Sequence, residues 1–432
     1  MNREILIEAA TLYLPVCGCF LLWKLTPPIK SVRVAALMGF SWQLAILPWY
    51  NYLAVQWGFW DYNTKFPIVL GLPVSLYLGW AVFWGFLVTF WAEADWWKRY
   101  FRQWRYPAVT VCCLLLDLVL MPMMSPALEL KKGWLIGEIG LVLLCLMPSQ
   151  LIAYAKVSDR LLGYRATLIT LSFVGVMTCV LPFCVNDGAL VDAVAAVRSR
   201  PRFLNSFYLI VLAIVAIPGI SAVYFFCKVG RGTPIPFDPP EKLVTTGVYA
   251  YCANPIQLSI ALSLVVWGVY LENWVCLVIS GMSLVYSAGI AKVVEIDEME
   301  ARFGEQWKSY KNEVKSWRFS ILPPANYSQG RLFIARNCEV CSGIRQWFEK
   351  QRLTNLSLCH ADEFQGETLE RISYTNSGVR FEGVRAVAEA FQHINLLFAS
   401  IGWVIHLPLI SEIIQLAVDT SGGQRRSCKP SS

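Results

Sequence analysis

Charge is scarce in this sequence. Only 16% of its 432 residues are charged, while 56% are hydrophobic and 14% aromatic; a soluble chain carries roughly a quarter charged residues. The deficit runs through most of the length, which excludes an ordinary water-exposed globule and makes lipid the solvent for much of the surface. The charge that remains does not read as a nucleic-acid surface, because a net +7 is modest and the basic residues flank apolar segments, where they set orientation. No cleavable leader is expected: the first apolar run is long enough to span a bilayer and carries no clear small-residue cleavage site. Fourteen cysteines do not make a disulfide framework here. Cys17, Cys19, Cys112, Cys113, Cys145, Cys179, Cys184 and Cys276 lie inside apolar runs, where cysteine behaves as a small hydrophobe. No metal site is expected, since Cys338 and Cys341 are followed by no second pair at a zinc-binding spacing and Cys359-His360 is one adjacent pair.

What is there in quantity is apolar runs of about twenty residues, each able to cross a bilayer as a helix. Nine are predicted: Ile5–Trp23, Val34–Trp57, Pro67–Ala92, Pro107–Met124, Gly133–Tyr154, Thr167–Val185, Phe207–Cys227, Ile256–Leu271 and Trp274–Val293. The eighth is short, and with the ninth it reads as a hairpin, turning at Glu272-Asn273, that is tilted or spans only in part. One set of loops, holding Lys24, Lys30, Arg33, Lys98, Arg99, Arg102, Arg105, Lys156, Arg160, Arg165, Lys228 and Arg231, is richer in basic residues than the opposite set. The positive-inside rule places that set in the cytoplasm, with the C-terminal region on the same side; the cluster Arg198, Arg200 and Arg202 runs against this. Trp57, Trp60, Tyr62, Trp91, Trp96, Trp97 and Trp104 lie near span ends, as an aromatic belt does. Glu8, Asp117 and Glu138 fall within predicted spans. Intramembrane carboxylates often mark a site; Glu8 and Glu138 are close enough to span ends to reach the interface, and Asp117 is deeper.

After Val293 charged residues become common and apolar runs shorten. Arg331–Arg336, Leu356–Ala361 and Glu370–Phe381 read as strands, the last with a turn at Asn376-Ser377-Gly378, while Ser342–Arg352 and Val384–Ile394 have helical spacing. The fold class expected is therefore mainly α, a polytopic membrane protein with about nine spans and a small C-terminal α/β domain. The expected domains are residues 1–200, 201–322 and 329–428, the last joined by a linker around Pro323-Pro324. Leu396–Leu416 is interrupted by Gly402, His406 and Pro408 and is expected to form packed or interfacial helices rather than a tenth span.

The most informative stretch runs from Gly230 to Phe319. A proline-rich loop, Gly232-Thr233-Pro234-Ile235-Pro236-Phe237-Asp238-Pro239-Pro240, leads to Gly247-Val248-Tyr249 and Cys252-Ala253-Asn254-Pro255. After the hairpin come Glu295-Ile296-Asp297-Glu298, Phe303-Gly304, Trp307, Tyr310, Val314 and Trp317. This ordered set resembles the isoprenylcysteine carboxyl methyltransferase and phospholipid methyltransferase families over about ninety residues. The resemblance implies a membrane methyltransferase that uses S-adenosylmethionine on a lipophilic, isoprenoid or lipid acceptor at the cytoplasmic face. It places Glu295 and Asn254 in the catalytic centre, and Gly247, Tyr249, Tyr251, Asn254, Pro255, Glu295 and Tyr310 around the cofactor. Glu295 would accept from the ammonium of the cofactor's methionine part, Asn254 would bond its carboxylate or hold the loop, and the rings of Tyr249 and Tyr251 would face the sulfonium or adenine. Their plainer readings are a solvated helix start, a turn former before proline and interfacial anchors. Four positions depart from the family: Ala253 where it has arginine, Gln257 where it often has tyrosine, Ser259 where it has glycine, and Ile296 where it has a second glutamate.

Cys338-Glu339-Val340-Cys341 sits between a strand and a helix, the setting of a thioredoxin-like redox motif, where the helix dipole favours thiolate. The whole tail resembles a divergent DCC-type thiol-disulfide domain. Near the other end, Phe59-Trp60-Asp61-Tyr62 followed by Gly71-Leu72-Pro73 is similar to membrane carotenoid-processing proteins, which would suit an isoprenoid substrate. Two other functions stay open at this point: a membrane thiol-disulfide oxidoreductase using Cys338 and Cys341, and a non-catalytic lipid or pigment carrier on a degenerate methyltransferase scaffold. The partners implied are membrane lipids and a lipophilic small molecule; the sequence says nothing of oligomeric state.

Overall fold

The computed structural model describes residues 3–63, 68–69, 71–176, 180, 197–234, 238–289, 298–336, 339–364, 368–376, 379–407 and 409–421. Among these, six helices are long and apolar enough to cross a membrane: α1 (Arg3–Leu25), α2 (Lys30–Gln56), α3 (Val74–Ala92), α4 (Asp95–Met123), α5 (Trp134–Val157) and, after the shorter α6 (Leu162–Gly175), α7 (Arg202–Lys228). The hairpin runs give α8 (Pro255–Tyr270) and α9 (Trp274–Ala288), of 16 and 15 residues. At 1.5 Å per residue they reach about 24 and 22 Å, short of the roughly 30 Å hydrocarbon layer. The sixth and ninth predicted runs each end outside the described residues.

The chain gathers into two compact units. One comprises Met1–Tyr208, Thr233–Pro239 and Leu264–Ile279; the other comprises Leu209–Gly232, Pro240–Ser263 and Ser280–Ser432.

In the first unit α2 is the central helix, flanked by α3, α5 and α6. Two of its neighbours widen into π-turns, at Phe83–Leu87 in α3 and Val142–Leu146 in α5. A π-turn breaks the regular ladder and leaves carbonyls to be satisfied from outside, and in lipid there is no water to do it. Polar side chains take that role. The Gln43 amide of α2 donates to the Cys145 carbonyl at 3.0 Å, and the Trp42 indole to that of Leu144 at 3.1 Å. On the other side Gln150 and Ser149 donate to the Trp84 carbonyl at 3.2 and 3.4 Å. Glycines bring the helices close: a Cβ on Gly79 would lie 2.2 Å from the Thr11 carbonyl oxygen, and one on Gly85 2.5 Å from the Phe40 Cα, the small-residue packing usual in membranes. At one end of the bundle β1 (Trp60–Tyr62) pairs antiparallel with β4 (Leu128–Leu130), and β2 (Ile68–Val69) with β3 (Leu72–Pro73). Neither Glu8 nor Glu138 has its side chain at the protein surface. Glu8 is buried and accepts from the Ser75 hydroxyl at 2.7 Å, and Glu138 is fully buried.

The second unit holds the lower part of α7 and a four-stranded sheet. Strands β5 (Gly330–Ile334) and β6 (Leu356–His360) run parallel, joined through α11 (Glu339–Glu349); α10 (Glu305–Glu313) precedes them. Antiparallel β7 (Ser373–Asn376) lies on the other side of β5 and hairpins with β8 (Val379–Glu382), giving the order β6-β5-β7-β8. Then come α12 (Val384–Phe391), α13 (Leu396–His406) and α14 (Ile410–Thr420). The last two meet at 92°; Pro408 and the hairpin residues Ser377 and Gly378 lie outside the described residues. The stretch around Pro323-Pro324 is pinned rather than loose. Tyr327 is buried, Asn355 donates to the carbonyls of Ala325 and Tyr327 at 2.9 and 2.8 Å, and Leu396 N–H donates to the Ile321 carbonyl at 2.8 Å.

Candidate functional site

The site residues of the loop and tail fall within the second unit. Just after α7, the Gly230 carbonyl accepts from the backbone N–H groups of Glu241 and Lys242 at 2.7 and 3.3 Å, which closes the proline-rich loop at its base. Within that loop, in the first unit, Thr233 donates to the Asp238 carboxylate at 2.9 Å, and Lys156 is ion-paired to the same carboxylate. Ile235, Pro236 and Phe237 lie outside the described residues.

Gly247 opens a 3₁₀ turn, Gly247–Ala250, with φ +69°. The left-handed backbone explains part of the glycine; close approach explains the rest, since a Cβ there would lie 2.5 Å from the Phe225 ring. The turn is then tied to the tail from four points. The Tyr310 hydroxyl donates to the Tyr249 carbonyl at 2.8 Å, Ala253 N–H to the Lys315 carbonyl at 2.9 Å, the Cys252 thiol to the Ser316 carbonyl at 3.3 Å, and Ser320 N–H to the Tyr251 carbonyl at 2.9 Å. The first of these spans 61 residues of sequence and the whole hairpin. The tail residues Trp307, Tyr310 and Val314 form a small apolar cluster, joined by Phe303, Met299, Leu243 and Ala253. Ala253, which stands where the family has arginine, is thus part of an apolar contact. Ser259, where the family has glycine, is buried against Gly219 of α7, whose Cβ would lie 2.7 Å from that of Ser259. Gln257 is exposed, and Ile296 lies outside the described residues.

Tyr251 is fully buried, its ring edge-on to Trp403 of α13 at 5.7 Å and its hydroxyl donating to the Gln392 carbonyl at 2.8 Å. Its ring, expected to offer a face to the cofactor, is packed into the core of this unit. Burial holds its hydroxyl above the ordinary range and pushes the Cys252 thiol up to about 11, against which the Asn254 backbone N–H and Lys311 act weakly. Cys252 is therefore an inert thiol at neutral pH. Tyr249 is buried, its ring 6.0 Å from that of Phe226. Pro255 opens α8 at its first position, where a missing N–H costs nothing, and the Asn254 carbonyl accepts from Leu258 N–H at 3.1 Å. Asn254 as a residue is 6% exposed, and among the described residues none hydrogen-bonds to its side-chain amide. Glu295 lies outside the described residues.

Cys341 is in the first turn of α11, half-buried against the domain core of Leu332, Ile334 and Phe348; Cys338 lies outside the described residues. Among the described residues no group of three or more His, Cys, Asp or Glu is placed to hold a metal.

Sequence reasoning missed a buried polar network behind Tyr251. Glu389 Oε1 lies 3.0 Å from His406 Nε2, and Glu389 Oε2 accepts from the Gln392 amide at 3.1 Å. His393 bonds the Tyr374 hydroxyl at 2.8 Å and the Thr354 carbonyl at 2.7 Å, and burial lowers it from 6.5 to about 4. The available signal was polar side chains, Gln392, His393 and His406, breaking an otherwise apolar run. No protein-family model matches the chain, and no curated protein and no solved structure matches it.

Proposed function

We propose that the chain is an integral-membrane, S-adenosylmethionine-dependent methyltransferase acting on a lipophilic acceptor from the cytoplasmic face. The observation that supports this best is the closure of loop on tail by the Tyr310–Tyr249 and Ala253–Lys315 bonds, at the start of α8, beside the Asn254 amide, to which none of the described residues hydrogen-bonds. An amide that no described residue engages is available to a polar ligand, and its N–H fits the carboxylate of an amino-acid group. S-adenosylmethionine supplies, when bound, a methyl group made electrophilic by a sulfonium. Such a transfer spreads charge rather than creating it, so the chain's task is to position reactants and exclude water. Gly247 lets the backbone turn tightly, Asn254 offers its amide, and Glu295 offers a carboxylate to an ammonium group. Tyr251 and Tyr310 act as framework. Calorimetry of the detergent-purified protein should show S-adenosylmethionine binding. Asn254→Ala should weaken it about 10- to 150-fold, the equivalent of a lost hydrogen bond to a charged group of about 1.5–3 kcal/mol. No heat at millimolar ligand removes the enzyme reading and leaves a carrier on a decayed scaffold, the reading that the apolar surroundings of Ala253 favour.

A second reading, a thiol-disulfide oxidoreductase, is supported by Cys341 in the first turn of α11 within a parallel β5-α11-β6 unit, the setting in which a C-x-x-C pair acts in redox exchange. Replacing Cys338 and Cys341 by serine should abolish disulfide reduction by the purified protein; unchanged turnover excludes it.

A further inference from the structure

The first unit holds two groups that no role above uses. Asp117 of α4 and Glu138 of α5 are both fully buried, and among the described residues none of their four carboxyl oxygens has a hydrogen-bond partner. They lie within electrostatic range of each other. Glu138 is one turn into its helix from Trp134, and Asp117 is less than two turns from the α4 terminus at Met123, so both sit just inside the end of the bundle that carries the β1–β4 ribbon. A cavity of about 30 Å³ opens there, room for about two waters and too small for an organic ligand. Its wall includes Met121 and Leu141, one turn along from Asp117 and Glu138, together with Asn51 and Tyr62, which are hydrogen-bonded to each other.

Two ionised carboxylates without partners are not tolerated at membrane depth. Among the described residues the neighbouring groups do not neutralise them: Cys113 on α4, Cys145 on α5, Tyr50 on α2 and Tyr62 on β1 bear no positive charge, and the Lys131–Asp61 ion pair sits half-exposed on the ribbon. We propose that Asp117 and Glu138 form an intramembrane proton-binding pair, loaded at neutral pH and exchanging with the surface through the water-sized cavity beneath Tyr62. The first unit then carries a proton site of the kind that serves relays and transporters, independent of any methyl donor.

The test is a hydrophobic carbodiimide, which adds only to protonated carboxyls, applied to the full-length protein in detergent over a series of pH values. Peptide mass spectrometry should find the adduct on Asp117 or Glu138 at neutral pH, and its loss at alkaline pH. Asp117→Asn and Glu138→Gln should each remove one adduct. On the unmodified chain, infrared spectroscopy should show a protonated carboxyl band that shifts in heavy water, which keeps the test valid if a variant fails to fold. Absence of adduct on both residues with only carboxylate bands overturns the proposal. Protection by sodium ion at fixed pH overturns it in favour of a bound cation.

Discussion

Gly247, Tyr251 and His393 illustrate how single side chains in the second unit are fixed by their surroundings. Gly247 has a left-handed φ and touches the Phe225 ring. Gly247→Ala should lower unfolding stability by about 2–4 kcal/mol, adding backbone strain to overpacking, as read by denaturation in detergent. Tyr251→Phe leaves the buried Gln392 carbonyl unpaired, and should cost about 1–3 kcal/mol while leaving S-adenosylmethionine binding as it was; a selective loss of binding would return the ring to the cofactor. His393 titrates at about 4 when folded against 6.5 ordinarily. Between those values the unfolded chain binds the extra proton, so stability falls as pH drops from about 6.5 to about 4, by about 3 kcal/mol in all, and levels off below. Melting curves across that window, compared with His393→Asn, which should flatten them, check the sign.

At the scale of elements, the apolar runs were legible because every backbone group in lipid must be satisfied within its own helix, and length and hydropathy report that directly. The exceptions were not legible. Nothing in Val142–Leu146 announces a π-turn; its presence is matched by Gln43 and Trp42, whose partners lie 102 residues away. Gln43→Leu should destabilise the first unit by about 1 kcal/mol, measurable as a lower melting temperature in detergent. The strands of the tail were readable from alternation and turn residues, and β5, β6, β7 and β8 stand close to where they were expected. The bend between α13 and α14 follows from the polar and proline interruptions seen in the sequence. The close crossing of α12 and α13 does not. It depends on Gly402, whose Cβ would lie 2.4 Å from the Ala388 carbonyl oxygen, and Gly402→Ala should cost about 1–3 kcal/mol.

Over the whole molecule, the motif order between Gly230 and Phe319 exposed the candidate site, since turn, step and tail do come together. What it concealed was the covering: the α/β region was expected to hang from a linker, whereas Ala399 and Trp403 of α13 share one core with Phe225, Val248 and Tyr251. Long-range burial of this kind has no local signature. Removal of residues 324–432 should therefore expose the loop and abolish any binding of the methyl donor, as well as disulfide exchange, and limited proteolysis of the intact chain should spare the Pro323-Pro324 stretch. That arrangement also has a consequence during synthesis. Tyr251 bonds Gln392, 141 residues further on, and at about 5–20 residues per second the ribosome needs on the order of ten to thirty seconds to bring the second partner out. Throughout that interval the newborn turn has its aromatic side uncovered, so a chain stopped before Gln392 would be a substrate for quality control rather than a shortened working protein.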